Sequence, residues 1–407
     1  MYGVKSHISS IVLAVLCLLY SSMSVAAHGG SSMTVSPPMY KHLKRIEEQI
    51  NTGKLDKAIK QSTNLVNRKT LNPYEKSLLY QMQAGIYIRK QKYDQAISIY
   101  KKLLELNALP KDNLNNIHYT LAQIFMQQEA YEKALKHFNL WSGNTSDIKS
   151  ESWQFLASIY VAQEKYLEAI PPAEKAVSLA MPAKESQYQL LLGLYQRTNN
   201  NQRAIKLLGS MLEKYPDKKE YWLQLFYTLN EESMEKQALT ILDLAYVNHL
   251  LRDGGELIHL AQLHLYHQNP LRAALIIEKG LRDGNINETP THLKLLASAW
   301  FNAREYQKAL KPLTQSAQLT GDGKTYYQLA QAYTELNLWK KAIEALQLAL
   351  KDKTMKNTGA CYLLMGIVYS ELENYGNAEQ AFKHSLQDSQ TRDEAERWIL
   401  YIEELER

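Results

Sequence analysis

Small and large apolar residues alternate along this chain with a long, steady period. An alanine recurs at Ala58, Ala96, Ala134, Ala169, Ala204, Ala238, Ala273, Ala309, Ala342 and Ala378, at intervals of 33 to 38 residues. Twelve positions before it stand Ala84, Ala122, Ala157, Ala261, Ala297, Ala330 and Gly366, where small side chains let two helices approach closely. Three residues after those come Tyr87, Phe125, Tyr160, Tyr195, Trp300, Tyr333 and Tyr369, aromatic groups with enough apolar area to fill the space between helices, and therefore predicted core. Three residues before the alanine lies Tyr93, Tyr131, Tyr166, Tyr306, Trp339 or Tyr375. A period in this range predicts stacked helix-turn-helix units, twenty-one helices in all, and leaves no room for a separate catalytic domain.

Three copies depart from the pattern. Ile46, Leu192 and Phe226 occupy the small position, which predicts wider helix spacing in those hairpins. Pro171 and Pro172 fall early in a second helix and predict a local kink, because proline removes backbone donors. Residues 391–407 read as a final amphipathic helix, with Trp398, Ile399 and Ile402 on its apolar side and charges opposite, the solvated cap that a repeat array needs.

The best copy reads Trp153, Leu156, Ala157, Tyr160, Tyr166 and Ala169, while Ala134 with Phe138 and Ala378 with Phe382 supply an A-x3-F element. This pattern resembles the tetratricopeptide repeat. The resemblance implies an all-α, right-handed superhelical solenoid of about ten repeats over residues 41–390, followed by the capping helix.

The amino terminus points to export. Lys5 precedes an apolar run from Ile11 to Tyr20, and Ser24, Val25, Ala26 and Ala27 offer small residues for cleavage near Ala26 or Ala27. Residues 1–27 therefore read as a secretory signal peptide, too short in its apolar part to cross about 30 Å of hydrocarbon. Residues 28–40, with Gly29, Gly30, Ser31, Ser32, Pro37 and Pro38, read as a flexible tether. Cys361 is the one cysteine left after cleavage, so no internal disulfide is predicted, and it reads as a small buried apolar residue.

Forty-seven basic residues against 42 acidic ones are mixed along the chain, with no basic stripe for nucleic acid. No phosphate loop, zinc-protease helix or nucleophile elbow occurs. His249, His259, His264 and His267 form the densest histidine group, and His264 with His267 could share a face toward a metal. Against this, His264 takes the aromatic slot of its repeat and His259 lies off that face, which favours core and surface roles. No catalytic residue, cofactor or metal is predicted.

Surface recognition is the chemistry that remains. Residues beside the packing positions of the first helices predict a polypeptide-contacting face: Gln81, Tyr119, Gln123, Gln127, Gln154, Gln189, Gln196, Arg197, Gln224, Tyr227, His259, Gln262, Tyr266, Lys294 and Gln331. Amides both donate and accept, so they suit an extended backbone, and tyrosines add apolar contact at small entropic cost.

Four stretches narrow the partner. Lys219 to Leu225 (KEYWLQL), Ala303 to Leu313 (AREYQKALKPL), Gly321 to Tyr333 (GDGKTYYQLAQAY) and the terminal AERWILYIEELER resemble exported tetratricopeptide proteins associated with TonB systems of Gram-negative bacteria. That resemblance implies a periplasmic, non-enzymatic scaffold with TonB, ExbB and ExbD as inner-membrane partners, serving iron-chelate uptake. It carries over no functional residue. The alternative is a periplasmic adaptor or holdase in envelope and outer-membrane protein assembly.

Overall fold

Every hairpin turns on one left-handed residue. Five positions before each repeating alanine, at Gly53, Gln91, Glu129, Glu164, Asn199, Ser233, Gln268, Arg304, Asn337 and Glu373, φ lies between 53° and 74°. The next amide then donates back to the carbonyl of the aromatic position: Lys92 to Tyr87 at 2.8 Å, Lys165 to Tyr160 at 2.9 Å, Glu305 to Trp300 at 2.9 Å and Leu338 to Tyr333 at 2.8 Å. This pairing satisfies carbonyls that a helix end leaves open. One residue further on, the second helix begins at the predicted aromatic, as at Tyr93, Tyr131, Tyr166, Tyr306, Trp339 and Tyr375.

The structure, a computed structural model, describes residues 33–356 and 358–405. The predicted signal peptide and the first part of the tether lie outside the described residues. Twenty-one helices and no strand are found among those described, and the chain divides after Asn200 into two compact units. The first holds α1 (Pro37–Asn51), α2 (Leu55–Val66), α3 (Pro73–Arg89), α4 (Tyr93–Leu106), α5 (Lys111–Gln127), α6 (Tyr131–Ser142), α7 (Ser150–Ala162), α8 (Tyr166–Leu179) and α9 (Glu185–Arg197). The second begins with α10 (Asn201–Lys214), α11 (Lys219–Glu231), α12 (Glu235–Val247), α13 (Gly254–Tyr266), α14 (Pro270–Arg282) and α15 (Pro290–Asn302). It continues through α16 (Tyr306–Thr320), α17 (Gly323–Glu335), α18 (Trp339–Lys351), α19 (Thr358–Glu371), α20 (Tyr375–Ser385) and α21 (Arg392–Leu405).

All ten repeating alanines are fully buried, as are the small residues twelve positions earlier at Ala84, Ala122, Ala157, Ala261, Ala297 and Ala330. In these six hairpins two methyl-sized positions thus lie buried, one on each helix. The two hairpins with Ile46 and Phe226 in place of a small residue, α1 with α2 and α11 with α12, are the most sparsely packed of those lying within one unit. At the aromatic position, Phe125, Tyr195, His264 and Trp300 are buried, whereas Tyr87, Tyr160, Tyr333 and Tyr369 are only half-buried. They stand in the last turn of the helix, where a phenol can keep its hydroxyl in water.

Buried polar groups tie neighbouring helices together, within a hairpin and between hairpins. Ser150 Oγ donates to the Ala176 carbonyl at 2.7 Å, and Gln187 Nε2 donates to Ser150 Oγ at 2.6 Å, joining α7, α8 and α9. Ser385 Oγ donates to the Gly359 carbonyl at 3.0 Å in the second unit. A polar group at such a depth costs free energy unless it is paired.

Two features at the ends of the array differ from the sequence reading. The helix starts at Pro37, inside the stretch read as tether, because proline at the first helical positions loses no intrahelical bond. Just before it, Ser36 donates through its amide and Oγ to Glu75 at 2.9 and 2.7 Å, and the Thr34 carbonyl accepts from Asn72. Pro171 and Pro172 lie inside α8, and Pro312 sits in α16 at the position of Pro172; Pro172 and Pro312 are both buried. The final helix stacks Trp398 on Phe382, ring centroids 5.7 Å apart and 11° from parallel, but its outer face is not purely charged: Leu400, Tyr401 and Leu405 are exposed.

Two substitutions test this packing. A Cβ at Gly366 would stand 2.4 Å from the buried Phe382 ring, so Gly366→Ala is expected to lower the urea midpoint, at a cost of about 1–3 kcal/mol despite the better helix propensity of alanine; an unchanged midpoint would contradict the close approach. Arg304→Gly removes a left-handed penalty of about 1 kcal/mol, partly offset by a freer unfolded chain, and is expected to raise the midpoint.

Candidate polypeptide-binding surface

The fifteen residues proposed from sequence all fall on first helices. In the first unit, Gln81 lies on α3, Tyr119, Gln123 and Gln127 on α5, Gln154 on α7, and Gln189, Gln196 and Arg197 on α9. In the second, Gln224 and Tyr227 lie on α11, His259, Gln262 and Tyr266 on α13, Lys294 on α15 and Gln331 on α17. Within a helix they are spaced by three, four or seven residues, apart from the adjacent Gln196 and Arg197, so each set forms a stripe on one face.

The first-unit stripe is uneven. Gln127, Gln189, Gln196 and Arg197 are exposed, and Gln81, Gln123 and Gln154 are half-buried. Arg197 holds its guanidinium 5.1 Å from the centroid of the Tyr166 ring. Tyr119 is engaged in packing: its ring centroid lies 4.4 Å from that of Trp141 and 5.6 Å from that of Phe155, and burial pushes its phenol up from the usual value. It shapes the floor of the first-unit face rather than standing free on it.

The second-unit stripe is more open. Tyr227 and Tyr266 are 59% and 73% exposed, and His259 and Gln262 are exposed beside them. Beneath lies Phe226, buried, meeting Tyr227 edge-on at 5.1 Å and His259 edge-on at 6.2 Å. The oversized residue at a small position thus becomes the support for two surface rings. Gln224 Oε1, on the same helix, is buried with no hydrogen-bond partner, and Gln328 Oε1 on α17 is in the same state. An unpaired buried acceptor is costly, so each of these two carboxamides carries a local energetic penalty.

Charge pairs frame this stripe. Lys219 Nζ meets Glu256 at 2.8 Å, linking α11 to α13. Lys294 Nζ meets Asp322 Oδ2 at 2.8 Å, linking α15 to the start of α17. Burial pushes the Asp322 carboxyl up, but Lys294, the Thr325 hydroxyl and the Lys324 amide outweigh it and hold it below the usual range.

The predicted histidine group is dispersed. His264 is buried with Nε2 3.1 Å from Asp243 Oδ1, and Asp243 also meets Arg272 at 3.4 Å. His267 Nε2 lies 3.9 Å from Glu235, and His249 sits in a left-handed turn. Among the described residues no three His, Cys, Asp or Glu side chains are grouped to hold a metal. Cys361 is buried against Met355, and burial pushes its thiol up to about 12.

A different histidine pair went unnoticed in the sequence. His118 on α5 and His137 on α6 place their Nδ1 atoms 3.0 Å apart, and His137 stacks on Phe125 at 5.3 Å. Burial first, then His118, Lys136 and Lys101, push His137 down to about 4; burial lowers His118 as well. Nineteen residues separate the two in sequence, so no local motif signals them.

Comparison with known proteins decides the repeat type. Tetratricopeptide repeat models match residues 79–114, 323–351 and 360–387; the second of these spans α17 and α18, and the third spans most of α19 and α20. The chain carries tetratricopeptide repeats. The tetratricopeptide repeat-containing protein YpiA of Bacillus subtilis (strain 168) is 25% identical over 343 residues, covering 80% of this chain and 73% of YpiA. Among solved structures, YrrB, described as a TPR protein with an unusual peptide-binding site, aligns at 14% identity and a TM-score of 0.37, over 47% of this chain and 97% of its own. MamA from Desulfovibrio magneticus RS-1 aligns at 18% identity and a TM-score of 0.35, over 43% of this chain and 96% of its own. Tetratricopeptide repeats are protein-binding scaffolds. No helix among the described residues is long and apolar enough to cross a membrane.

The half-buried imidazole pair gives the first unit a pH dependence. Both rings are depressed, so the folded chain binds fewer protons than the unfolded one, and stability is full above the ordinary histidine value of 6.5 and is lost as pH falls toward about 4. The melting temperature is expected to fall between pH 7 and pH 4.5, and His137→Gln is expected to flatten that fall; equal slopes in both proteins would contradict it.

Proposed function

We propose that this protein is a non-enzymatic scaffold that binds an extended polypeptide along the first helices of its repeats, and that it works in the periplasm as an accessory component of a TonB–ExbB–ExbD system for iron-chelate uptake. The observation that carries the binding reading is the patch on α11 and α13. Tyr227 and His259 stand in solvent on a buried Phe226, and Tyr266 and the exposed Gln262 lie further along α13. Rigid aromatic groups give contact area at little entropic cost, and the amides supply backbone hydrogen bonds.

The location and the partner rest on sequence features. The apolar run from Ile11 to Tyr20 with small residues to Ala27 supports export, and the four stretches resembling TonB-associated proteins support the system served. The envelope-assembly reading uses the same face and differs in what is held there.

The test is a photoreactive residue in place of Tyr266, irradiated in intact cells, with the captured protein identified. Capture of a TonB, ExbB or ExbD component is expected, and capture of only outer-membrane assembly factors would contradict the TonB reading. Replacing Tyr227 and Gln224 by alanine is expected to weaken binding of the captured partner about tenfold, equivalent to ~1.4 kcal/mol; unchanged affinity would place the contact elsewhere.

A further inference from the structure

The second helices carry an apolar groove that shares no residue with the first-helix stripe. Between α12 and α14 opens a cavity of about 680 Å³. Leu251, Leu257 and Ile276 form its floor, all buried, while Val247 and Leu275 flank it at 58% and 45% exposure. Exposed apolar groups beside an apolar floor mark a surface that a partner covers.

The charge around this groove says what kind of partner. Four cations, Arg252, Arg272, Lys279 and Arg282, line it against two carboxylates, Glu278 and Asp283. Arg272 meets Asp243 at 3.4 Å and Asp283 is shared between Lys279 and Arg282, while Arg252 spends its Nε on the His249 carbonyl rather than on a carboxylate. Positive charge is left over, which suits an acidic amphipathic helix.

Such a helix belongs to this same chain. α21 carries five carboxylates and two arginines. Its inner face is occupied, with Ala395 and Ile402 buried and Trp398 stacked on Phe382. Its outer face presents Leu400, Tyr401 and Leu405 among Asp393, Glu396 and Glu404, with the single cation Arg397 between them, all exposed. Because α21 is seated on α19 and α20 of its own chain, that outer face is available to another molecule.

We propose that the outer face of α21 in one molecule docks into the α12–α14 groove of a second copy. Leu400 and Tyr401 lie against Val247 and Leu275, and the α21 carboxylates meet Arg252 and Arg282. Groove and helix are different surfaces, so the contact is head-to-tail, and each added molecule brings a fresh groove and a fresh helix.

Sedimentation velocity of the full chain across a concentration series tests this. Species larger than a dimer are expected to grow with concentration and to shrink with added salt, which screens the charge pairs. Leu400→Asp spoils the helix and Val247→Asp spoils the groove, and each variant alone is expected to stay monomeric. Mixed at equal concentration they are expected to give a dimer and nothing larger, since one intact helix meets one intact groove. A wild-type chain that stays monomeric, as it would if the groove served a different protein, overturns the proposal; so does a variant that associates as wild type does, or a mixture of folded variants that stays monomeric. Circular dichroism checks the fold, and Tyr401→Asp with Leu275→Asp repeats the mixture should either first variant lose helicity.

Discussion

Close approach of two helices at methyl-sized positions is the constraint on which this structure rests. The repeating alanine in the second helix and the small residue twelve positions earlier in the first are buried, and the left-handed residue between them returns the chain at the angle that brings them together. Larger residues at the contact loosen the hairpin, as Ile46 and Phe226 do. The rest of the sequence is then free to vary, because each repeat needs only its neighbours to complete its core.

Function follows from what that constraint leaves outside. First helices keep one stripe for contact with each other and another for solvent, and the solvent stripe holds glutamine, tyrosine and histidine. Phe226 joins the two roles. The hairpin it belongs to is sparsely packed, and its ring meets those of Tyr227 and His259 edge-on. A local departure from the packing rule thus coincides with the most exposed aromatic patch among the first helices, as expected where stability gives way to a site.

Much of the fold was legible because side-chain identity reports it directly. Alanine spacing placed the hairpins, and the aromatics at Tyr93 through Tyr375 marked where second helices begin. Most of the left-handed turns were not legible: Gln91, Glu129, Glu164, Gln268, Arg304 and Glu373 are ordinary helix formers held at positive φ by the bond that follows, and only Gly53, Asn199 and Asn337 bear residues that favour it. Pro37 and Pro38 misled because proline marks both a loop and a helix start. Tyr119 looked like a surface residue because its spacing from Ala122 matches that of Lys294 from Ala297, yet Trp141 and Phe155 enclose it. Gln224 and Gln328 as unpaired acceptors, and the α12–α14 groove, depend on residues far apart in sequence and had no local signature.

Hydrogen exchange resolved to single amides tests the central claim most directly. If every hairpin is closed by the same turn, the amides of Lys54, Lys92, Ala130, Lys165, Asn200, Met234, Asn269, Glu305, Leu338 and Asn374 are slow to exchange, repeating with the alanines. Fast exchange at these positions, with protection confined to scattered helices, would contradict a fold built from one repeated closure.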